Sequence, residues 1–433
     1  MENILNSFSN IDSQNIAQAA NNYGTPVYVY DETAILQRCK EALEMPNAYG
    51  LTVRYAMKAN SNRSVLKTIS AAGLHIDASS LNEVMRAHMA EIPYNNIMLT
   101  TQEIYEGADR LIFEEMLRSG LSYSVCSLRQ LGIILDMESA EQYEIGIRIH
   151  PGVGSGESIT RNTGDEYACF GVHLMDIEEA VNLASQRGVL FKYVHVHIGS
   201  GGDPLVWQQN IDNELSIIKK YFPHAETVNF GGGLKVARMP DEKAADINEL
   251  GQYAKMRIEE FFADTGRKLK MEIEPGTYIM ANSGYAVTRV IDKKRTALLD
   301  FVIIDGSMEI NSRPLLYGSR HPIYIIAADG SHVKSSDWGD IPGDFEAVVA
   351  GRCCESGDCQ TLDSEGKPIP RSMVEPDIGD IAVIGGTGAY CSAMTPFNYN
   401  SHTQIAELML TSQGTLEIIR RRQTLAQMLE NEV

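Results

Sequence analysis

An alternation of short β-branched runs with helical patterns between residues 51 and 274 constrains the fold of this chain more than any other feature. Eight βα units in roughly 220 residues match the size of a (β/α)8 TIM-type barrel. A doubly wound sheet is the alternative, because the number of strands does not establish closure. The predicted strands span 52–57, 74–78, 96–99, 122–125, 143–149, 190–197, 226–230 and 268–274.

The pattern changes after Gly284. Short strand-like runs continue, separated by Gly, Asp, Pro and Ser and without intervening helices. This spacing is typical of an all-β domain, either a sandwich or a barrel. We therefore predict an α/β plus all-β protein, with a barrel over 31–284 and a β domain formed by 1–30 and 285–433. The run Pro26–Tyr30 is expected to add a strand to the β domain.

Charge and length limit the possible functions. The 433 residues carry a formal net charge of −20, which argues against binding to nucleic acid or to an anionic membrane surface. No stretch reaches the 18 or so apolar residues of a membrane helix. The charge does not by itself identify a substrate.

The seven cysteines are an odd number without the spacing of a disulfide framework or a zinc site. The first fifteen residues lack the basic start and apolar core of a secretory signal. We therefore expect free thiols, no bound metal and a cytoplasmic location.

Lys58 follows the first predicted barrel strand and precedes the helix-capping residues Asn60 and Asn62. The C-terminal ends of barrel strands carry the chemistry of this fold. A desolvated lysine there can lose its proton and react with a carbonyl group. Considered alone, Lys58 is better explained as a strand-end lysine that extends its charged group into solvent. The residues that end the later barrel strands favour the reactive interpretation instead.

Three further sequence patterns lie at the C-terminal ends of the sixth, seventh and eighth predicted strands. Strand alternation places His195 and His197 on one face. The three glycines 231–233 allow backbone N–H groups to approach an anion closely. Glu274 is directed into the barrel mouth, whereas Glu272 lies deeper and requires a partner.

One end of the barrel would carry a lysine, an anion-binding glycine loop and a carboxylate. A ligand that matches these three groups has an aldehyde for the lysine, a phosphate for the glycine loop and a basic ring nitrogen for the carboxylate. Pyridoxal 5'-phosphate has all three groups.

At these residues the chain resembles the fold-type III decarboxylases that depend on pyridoxal phosphate, and most of all their diaminopimelate decarboxylase branch. The resemblance implies decarboxylation of meso-2,6-diaminopimelate to L-lysine and CO2. The same chemistry on a related diamino acid or on a siderophore or polyamine precursor is an alternative, and an amino-acid racemase is a weaker one. The matching motifs are Tyr55-Ala-Met-Lys-Ala-Asn60, His197-Ile-Gly-Ser200, Gly231-Gly-Gly233, Glu274-Pro-Gly276, Arg313-Pro-Leu-Leu-Tyr317, Cys354-Glu-Ser-Gly-Asp358 and Gly388-Ala-Tyr390.

The resemblance also implies roles for the cofactor-binding residues. Lys58 would hold the cofactor covalently, His197 would stack on its ring, and Glu274 would keep the ring nitrogen protonated. The cofactor phosphate would be bound by four residues: Gly231, Gly232, Gly233 and Tyr390.

The catalytic and substrate-binding roles follow from the same resemblance. Cys354 would return a proton as the general acid, with Cys353 as the alternative thiol. The family is a homodimer in which the loop of Cys354 completes the partner's active site. The residues implied in substrate binding are Arg313, Tyr317, Glu355, Tyr390 and Thr277.

Thr277 is the main departure from the family, which has an arginine at this position. A hydroxyl group cannot form the two parallel hydrogen bonds that a guanidinium gives a carboxylate. Arg320 is a candidate replacement. Asp77 and Glu83, after the second strand, are equally well interpreted as supporting or capping residues.

Overall fold

The computed structural model describes residues 11–154, 163–199, 203–338 and 343–433. The chain forms two compact units. The barrel unit comprises Cys39–Lys235 and Ala244–Thr277, and the β unit comprises Met1–Arg38, Val236–Lys243 and Tyr278–Val433.

The strands and helices are numbered in chain order. The strands are β1 (Val27–Asp31), β2 (Leu51–Ala56), β3 (His75–Ala78), β4 (Ile97–Thr100), β5 (Ser122–Val125), β6 (Ile145–Arg148), β7 (Tyr193–His195), β8 (Thr227–Asn229), β9 (Lys270–Ile273), β10 (Gly284–Arg295), β11 (Asp300–Ile304), β12 (Ile323–Ile326), β13 (Val333–Ser336), β14 (Phe345–Ala350), β15 (Arg371–Met373), β16 (Ile381–Ile384), β17 (Ala406–Leu410) and β18 (Leu416–Arg420). The α-helices are α1 (Ser13–Tyr23), α2 (Glu32–Leu43), α3 (Arg63–Ala71), α4 (Leu81–Met89), α5 (Gly107–Arg118), α6 (Leu128–Leu135), α7 (Ile177–Gln186), α8 (Pro204–Tyr221), α9 (Ile247–Thr265), α10 (Thr277–Met280), α11 (Arg313–Tyr317) and α12 (Leu425–Met428).

Strands β2 to β9 close into a parallel barrel in sequence order, with β9 pairing back onto β2. The predicted barrel is therefore confirmed, and closure excludes a doubly wound sheet. Local chemistry starts several of the helices between strands. Asn62, Ser80 and Ser127 each accept a hydrogen bond from a first-turn N–H group of α3, α4 and α6, respectively.

The β unit contains a ten-stranded sheet. Its long strand β10 connects two ladders, because its first half pairs with β1 and β16 and its second half with β11. Strand β1 also pairs in parallel with β17. The strand predicted over Pro26–Tyr30 is therefore present. Its apolar residues Val27 and Val29 pack in a buried cluster with Tyr285, Val287 and Leu408.

The predicted domain limits differ from the two units at short segments. Residues 236–243 group with the β unit although they lie inside the predicted barrel range. Their contacts within that unit explain the grouping: the Asn282 amide donates to the Ala237 carbonyl at 2.9 Å, and Arg238 Nε donates to the Gly386 carbonyl at 3.1 Å.

Across the described ranges we find no helix long and apolar enough to cross a membrane.

Candidate active site

The barrel unit brings the predicted residues to the C-terminal ends of neighbouring strands. Lys58 follows β2, His197 follows β7, the glycines 231–233 follow β8 and Glu274 follows β9. Strands β7, β8 and β9 are consecutive neighbours in the barrel, and β9 pairs with β2. The four motifs therefore share one edge of the barrel, as the sequence predicted.

Glu274 is a buried carboxylate, only 6% exposed. Its Oε1 accepts a hydrogen bond of 2.7 Å from the Asn229 amide, and its Oε2 lies 3.1 Å from His195 Nε2. Glu274 Oε2 is therefore within ion-pair distance of His195, which is the first of the groups that lower the pKa of Glu274. Burial alone would raise the pKa of Glu274, but His195 and Lys58 hold it well below its ordinary value. Glu274 is therefore an anion at neutral pH.

His197 presents a neutral ring beside this carboxylate. Its Nδ1 accepts a hydrogen bond of 3.0 Å from the Gly232 N–H, which places the ring proton on Nε2. Burial, and then the cations of Lys58 and Arg148, hold the pKa of His197 well below its ordinary value. A flat, neutral and partly exposed ring is suited to stacking on another aromatic ring.

The glycine loop after β8 lies against the ends of β7 and β9. A Cβ on Gly231 would approach the Val196 carbonyl to 2.4 Å, and one on Gly232 would approach the Glu274 carbonyl to 2.6 Å. Glycine is required at both positions, since larger residues would displace backbone.

The three backbone N–H groups of this loop differ in whether they already have an acceptor in the protein. Gly231 donates to Asn229 Oδ1 at 2.9 Å and Gly232 donates to His197, so both amides are already used. Within the described ranges, the Gly233 N–H has no protein acceptor. Of the three predicted phosphate-binding amides, Gly233 is therefore the one available to an anion. Ser200, in the predicted His197-Ile-Gly-Ser200 motif, lies outside the described residues.

Lys58 lies in a 3-10 turn, Met57–Ala59, with its side chain exposed. Nearby Asp77 is buried, and its Oδ1 has no partner in the described part of the chain. Burial and the charge of Glu274 raise the pKa of Asp77 well above its ordinary value, although Lys58 opposes this. Glu83 accepts the Ser79 N–H at 2.7 Å and so serves as a cap.

Glu272 has the partner that its depth in the barrel requires. Arg54 Nε and Nη2 donate to its two oxygens at 2.9 and 2.8 Å. This bidentate pair neutralises both buried charges.

In the β unit, Arg313 and Tyr317 are the first and last residues of α11. Arg313 is 4% exposed, and its Nη2 donates to Ser319 Oγ at 3.3 Å. Its guanidinium carbon lies 5.7 Å from the centre of the Tyr317 ring. The Tyr317 hydroxyl contacts Met394 Sδ at 3.7 Å. The helix therefore presents a buried cation next to an aromatic ring.

The two thiols of the Cys354 loop differ in exposure. Cys354 is exposed and its backbone N–H donates to Asn400 Oδ1 at 2.9 Å. Cys353 is partly buried, and burial raises the pKa of its thiol to about 11. Buried Asp358 fixes the loop by accepting the Cys353 N–H at 2.7 Å. Cys354 is therefore the more accessible of the two thiols.

The other residues predicted to bind the substrate or cofactor differ in their exposure and backbone conformation. Glu355 is exposed and lies 3.5 Å from the Tyr399 hydroxyl. Tyr390 adopts the left-handed conformation, with φ of 57°. Thr277 begins α10 in the barrel unit and is partly buried.

Arg320, the candidate replacement for the missing arginine, has another partner. Its Nη2 lies 2.8 Å from both oxygens of Asp241 and forms a second ion pair of 3.9 Å with Glu242. The pair is largely exposed. Arg320 is therefore held by acidic residues of its own unit.

Comparison with known proteins identifies the family. Residues 33–281 match the family described as pyridoxal-dependent decarboxylase, pyridoxal binding domain. This match covers more than half of the chain. The chain belongs to the pyridoxal-dependent decarboxylases. It is thus an enzyme, and its cofactor is pyridoxal phosphate.

Individual relatives of this decarboxylase extend over its whole length. The diaminopimelate decarboxylase of Escherichia coli K12 is 30% identical over 98% of each chain. A crystal structure of a diaminopimelate decarboxylase superposes with a TM-score of 0.88 at 29% identity and covers 100% of this chain and 99% of that one. The Helicobacter pylori enzyme, solved with L-lysine, gives a TM-score of 0.78 at 26% identity, with coverage of 96% and 98%.

The residues at the barrel edge fit pyridoxal phosphate. Glu274 is buried and ionised, as an acceptor for a protonated ring nitrogen would need to be, and Lys58 is exposed, as reaction with an aldehyde would require. The Gly233 N–H is available for a phosphate oxygen. Sequence analysis did not identify His195 and Asn229 as partners of Glu274. The signal was present, because each lies two residues before a predicted site residue and strand alternation gives both pairs the same face.

Proposed function

We propose that this decarboxylase converts meso-2,6-diaminopimelate to L-lysine and CO2. The observation that carries the proposal is the buried, ionised Glu274 on the same barrel edge as Lys58. The full-length relatives named diaminopimelate decarboxylase, one of them solved with L-lysine, support the choice of substrate.

The proposal assigns each part of the cofactor to a residue. Lys58 would bind the aldehyde, His197 would stack on the ring, Glu274 would bind the ring nitrogen, and Gly233 and Tyr390 would bind the phosphate. When bound, pyridoxal phosphate supplies an aldehyde for the substrate amine and a protonated ring that withdraws the electron pair left by CO2.

Glu274 also favours decarboxylation over racemisation. A carboxylate at the ring nitrogen keeps that nitrogen protonated, which strengthens electron withdrawal. Racemases of this fold place an arginine there, and a cation disfavours the protonated ring. Because Asn229 and His195 hold Glu274 as an anion, the barrel supports a decarboxylase.

The β unit would complete the active site. The accessible Cys354 thiol would return a proton to the carbon that has lost CO2. Arg313, Tyr317, Glu355 and Thr277 would bind the end of the substrate that does not react.

We propose further that the enzyme is a homodimer in which each Cys354 serves the partner's barrel. In the single chain, Cys354 and Glu355 are exposed, and apolar side chains near their loop are exposed as well. Leu315 approaches Gly357, and Leu316 and Phe397 are 52% and 60% exposed. An exposed apolar group around functional residues is typical of an interface.

A complementation experiment tests the shared site. Lys58→Ala and Cys354→Ala proteins should each be inactive. After mixing and re-association, about one quarter of wild-type activity should return, since half of the dimers are hybrids and each hybrid has one intact site. Hybrid dimers without activity would exclude the shared arrangement.

A product assay tests the reaction itself. Purified protein with pyridoxal phosphate and meso-diaminopimelate should release CO2 and L-lysine in equal amounts, measured by gas release and chiral chromatography. Isomerised diaminopimelate without CO2 would instead identify a racemase.

A related diamino acid is the second candidate substrate. The observation in its favour is the absence of a cation at Thr277 together with the engagement of Arg320 by Asp241. Efficient turnover of D-lysine, which lacks the second carboxylate, would support this candidate.

We propose a cytoplasmic location as well, because all seven cysteines are free. Cell fractionation tests it.

A further inference from the structure

The indole of Trp207 contacts the glycine loop 231–233 within the barrel unit. Trp207 lies near the start of α8 and is only 1% exposed. Its Nε1 donates a hydrogen bond of 3.3 Å to the Gly232 carbonyl, and its ring packs against Phe230 with 5.7 Å between ring centres. A buried indole N–H needs an acceptor, and here that acceptor is the backbone of the loop. Trp207 is therefore bonded to the segment proposed to bind the cofactor phosphate.

The first peptide plane of the loop, which joins Gly231 and Gly232, is bonded at both ends within the protein. Its carbonyl accepts the Glu274 N–H at 2.8 Å, and its N–H donates to His197 Nδ1 at 3.0 Å. Gly231 and Gly232 are both buried. This plane has no polar group left for a ligand.

The second peptide plane, which joins Gly232 and Gly233, is bonded at its carbonyl end by Trp207. Its other end, the Gly233 N–H, has no acceptor among the residues that the structure describes. Gly233 is also partly exposed, in contrast to the two glycines before it. The free polar group of the loop therefore belongs to the plane that Trp207 holds.

The hydrogen bond from Trp207 fixes the direction of that free N–H. This peptide bond is trans, and the C=O and N–H of a trans peptide are coplanar and point in opposite directions. Because the Gly232 carbonyl is directed to the indole on α8, the Gly233 N–H is directed away from α8. A carbonyl that accepts a hydrogen bond also polarises its peptide group, which makes the N–H a stronger donor.

The loop cannot provide this orientation by itself. Glycines lack the Cβ that restricts backbone rotation, and Gly233 has φ of 96°, in the region that favours glycine. A Cβ on Gly233 would lie 2.8 Å from the Gly199 carbonyl, so a stiffer residue does not fit there. The orienting contact has to come from outside the loop.

We propose that Trp207 is a positioning residue for the cofactor phosphate. Its indole N–H would hold the Gly232–Gly233 peptide so that the Gly233 N–H meets a phosphate oxygen. The inference rests on the proposed role of Gly233 in the phosphate site. Since Trp207 acts only through this peptide, its loss should affect the phosphate and leave the aldehyde and ring of the cofactor unaffected.

The test compares two ligands of the full-length enzyme after its cofactor has been removed. Pyridoxal phosphate and pyridoxal share the ring and the aldehyde, and only the first carries the phosphate. Titration of the visible absorption band gives the Kd of each. The ratio of the two Kd values measures the contribution of the phosphate, and general damage to the fold would weaken both ligands alike.

Trp207→Phe keeps an aromatic ring against Phe230 and removes the N–H donor. The Kd for pyridoxal phosphate should rise about 10-fold, because a charge-assisted hydrogen bond is lost, and the Kd for pyridoxal should stay within about 2-fold. Trp338→Phe is the matched control. Trp338 is the chain's other tryptophan, and its indole N–H also donates to a backbone carbonyl, that of Arg238 at 2.6 Å. Its replacement should leave both Kd values within about 2-fold.

A tryptophan isostere removes the N–H without changing the size of the ring. In the Trp338→Phe protein, biosynthetic replacement of tryptophan by benzothienylalanine alters Trp207 alone and puts sulfur in place of the N–H. The same selective loss of pyridoxal phosphate affinity is expected. This variant decides the question if Trp207→Phe does not fold.

Equal weakening of both ligands, or an unchanged Kd for pyridoxal phosphate, would overturn the inference. Failure of the proposed phosphate site looks different, because wild-type enzyme would then bind pyridoxal as tightly as pyridoxal phosphate, and the inference would fall with it. Failure of the proposed substrate would appear in the CO2 assay and would leave these Kd values unaltered.

Discussion

The barrel edge and the β unit satisfy their buried polar groups to different degrees. In the barrel, the buried carboxylate Glu274 has protein partners on both oxygens, Asn229 and His195. In the β unit, His321 Nδ1 lies 2.9 Å from the Gly385 carbonyl and so carries the ring proton, and the buried acceptor His321 Nε2 has no donor in the described part of the chain. A charge whose partners are built in keeps its protonation state, whereas an unsatisfied buried acceptor costs free energy. Under the proposed function, the barrel would determine the reaction and Arg313 and Tyr317 of the β unit would determine the substrate.

The largest expected effect concerns Lys58. In Lys58→Ala the visible absorption band of bound cofactor and its bleaching by borohydride should disappear, and activity should fall roughly 10³-fold or more. Lys67→Ala is the matched control, because Lys67 is exposed and paired with Glu91. A reducible band that survives in Lys58→Ala would place the cofactor on another lysine.

Glu274→Gln tests the fixed charge in the barrel. Glutamine no longer favours a protonated ring nitrogen, so kcat should fall by about 10²-fold while cofactor affinity changes little. Stopped-flow kinetics and a cofactor titration separate the two quantities. Near-normal turnover would contradict the assignment of Glu274.

Thr277→Arg tests whether the barrel also contributes to substrate choice. If Arg313 binds the distal carboxylate as proposed, the added arginine should change the ratio of kcat/KM for meso-diaminopimelate and D-lysine by less than about 3-fold, since the carboxylate already has its cation. A large shift toward diaminopimelate would show that the barrel residue limits selectivity.

Another buried carboxylate in the barrel unit, Glu214, affects stability rather than turnover. Glu214 on α8 is 1% exposed, and neither oxygen has a partner in the described ranges. Burial, with a contribution from Glu274, raises its pKa well above the ordinary 4.5. The folded state therefore retains a proton that the unfolded state loses above that pH. The contribution of Glu214 to stability falls as pH rises toward the folded pKa.

Glu214→Gln removes this titration. Urea unfolding should show the variant stabilised by about 1–3 kcal/mol relative to wild type at pH 8 and much less at pH 5, with activity unchanged. A larger gain at pH 5 than at pH 8 would contradict the raised pKa.

The sequence predicted those features that depend on local pattern. Strand alternation located the barrel strands, and it also indicated that Glu272 needed a partner, which is Arg54. Lys58 and Glu274 were identified because strand ends in a barrel converge.

Contacts between distant segments could not be predicted. Arg238 packs on Gly386, nearly 150 positions away, because residues 236–243 leave the barrel unit and join the β unit. No periodic pattern marks that departure. Arg320 was a reasonable replacement for the missing arginine until Asp241 was found to engage it. Local sequence also does not report which amide N–H groups are already used, as at Gly231 and Gly232.

One measurement tests the division between reaction and substrate choice most directly. The kcat/KM for CO2 release from meso-diaminopimelate and from D-lysine is determined in parallel for wild type, Glu274→Gln and Arg313→Gln. We predict that Glu274→Gln lowers both values by the same factor, and that Arg313→Gln lowers only the value for diaminopimelate, by about 10²-fold. A Glu274→Gln enzyme with altered preference, or an Arg313→Gln enzyme equally impaired on both substrates, would contradict the account.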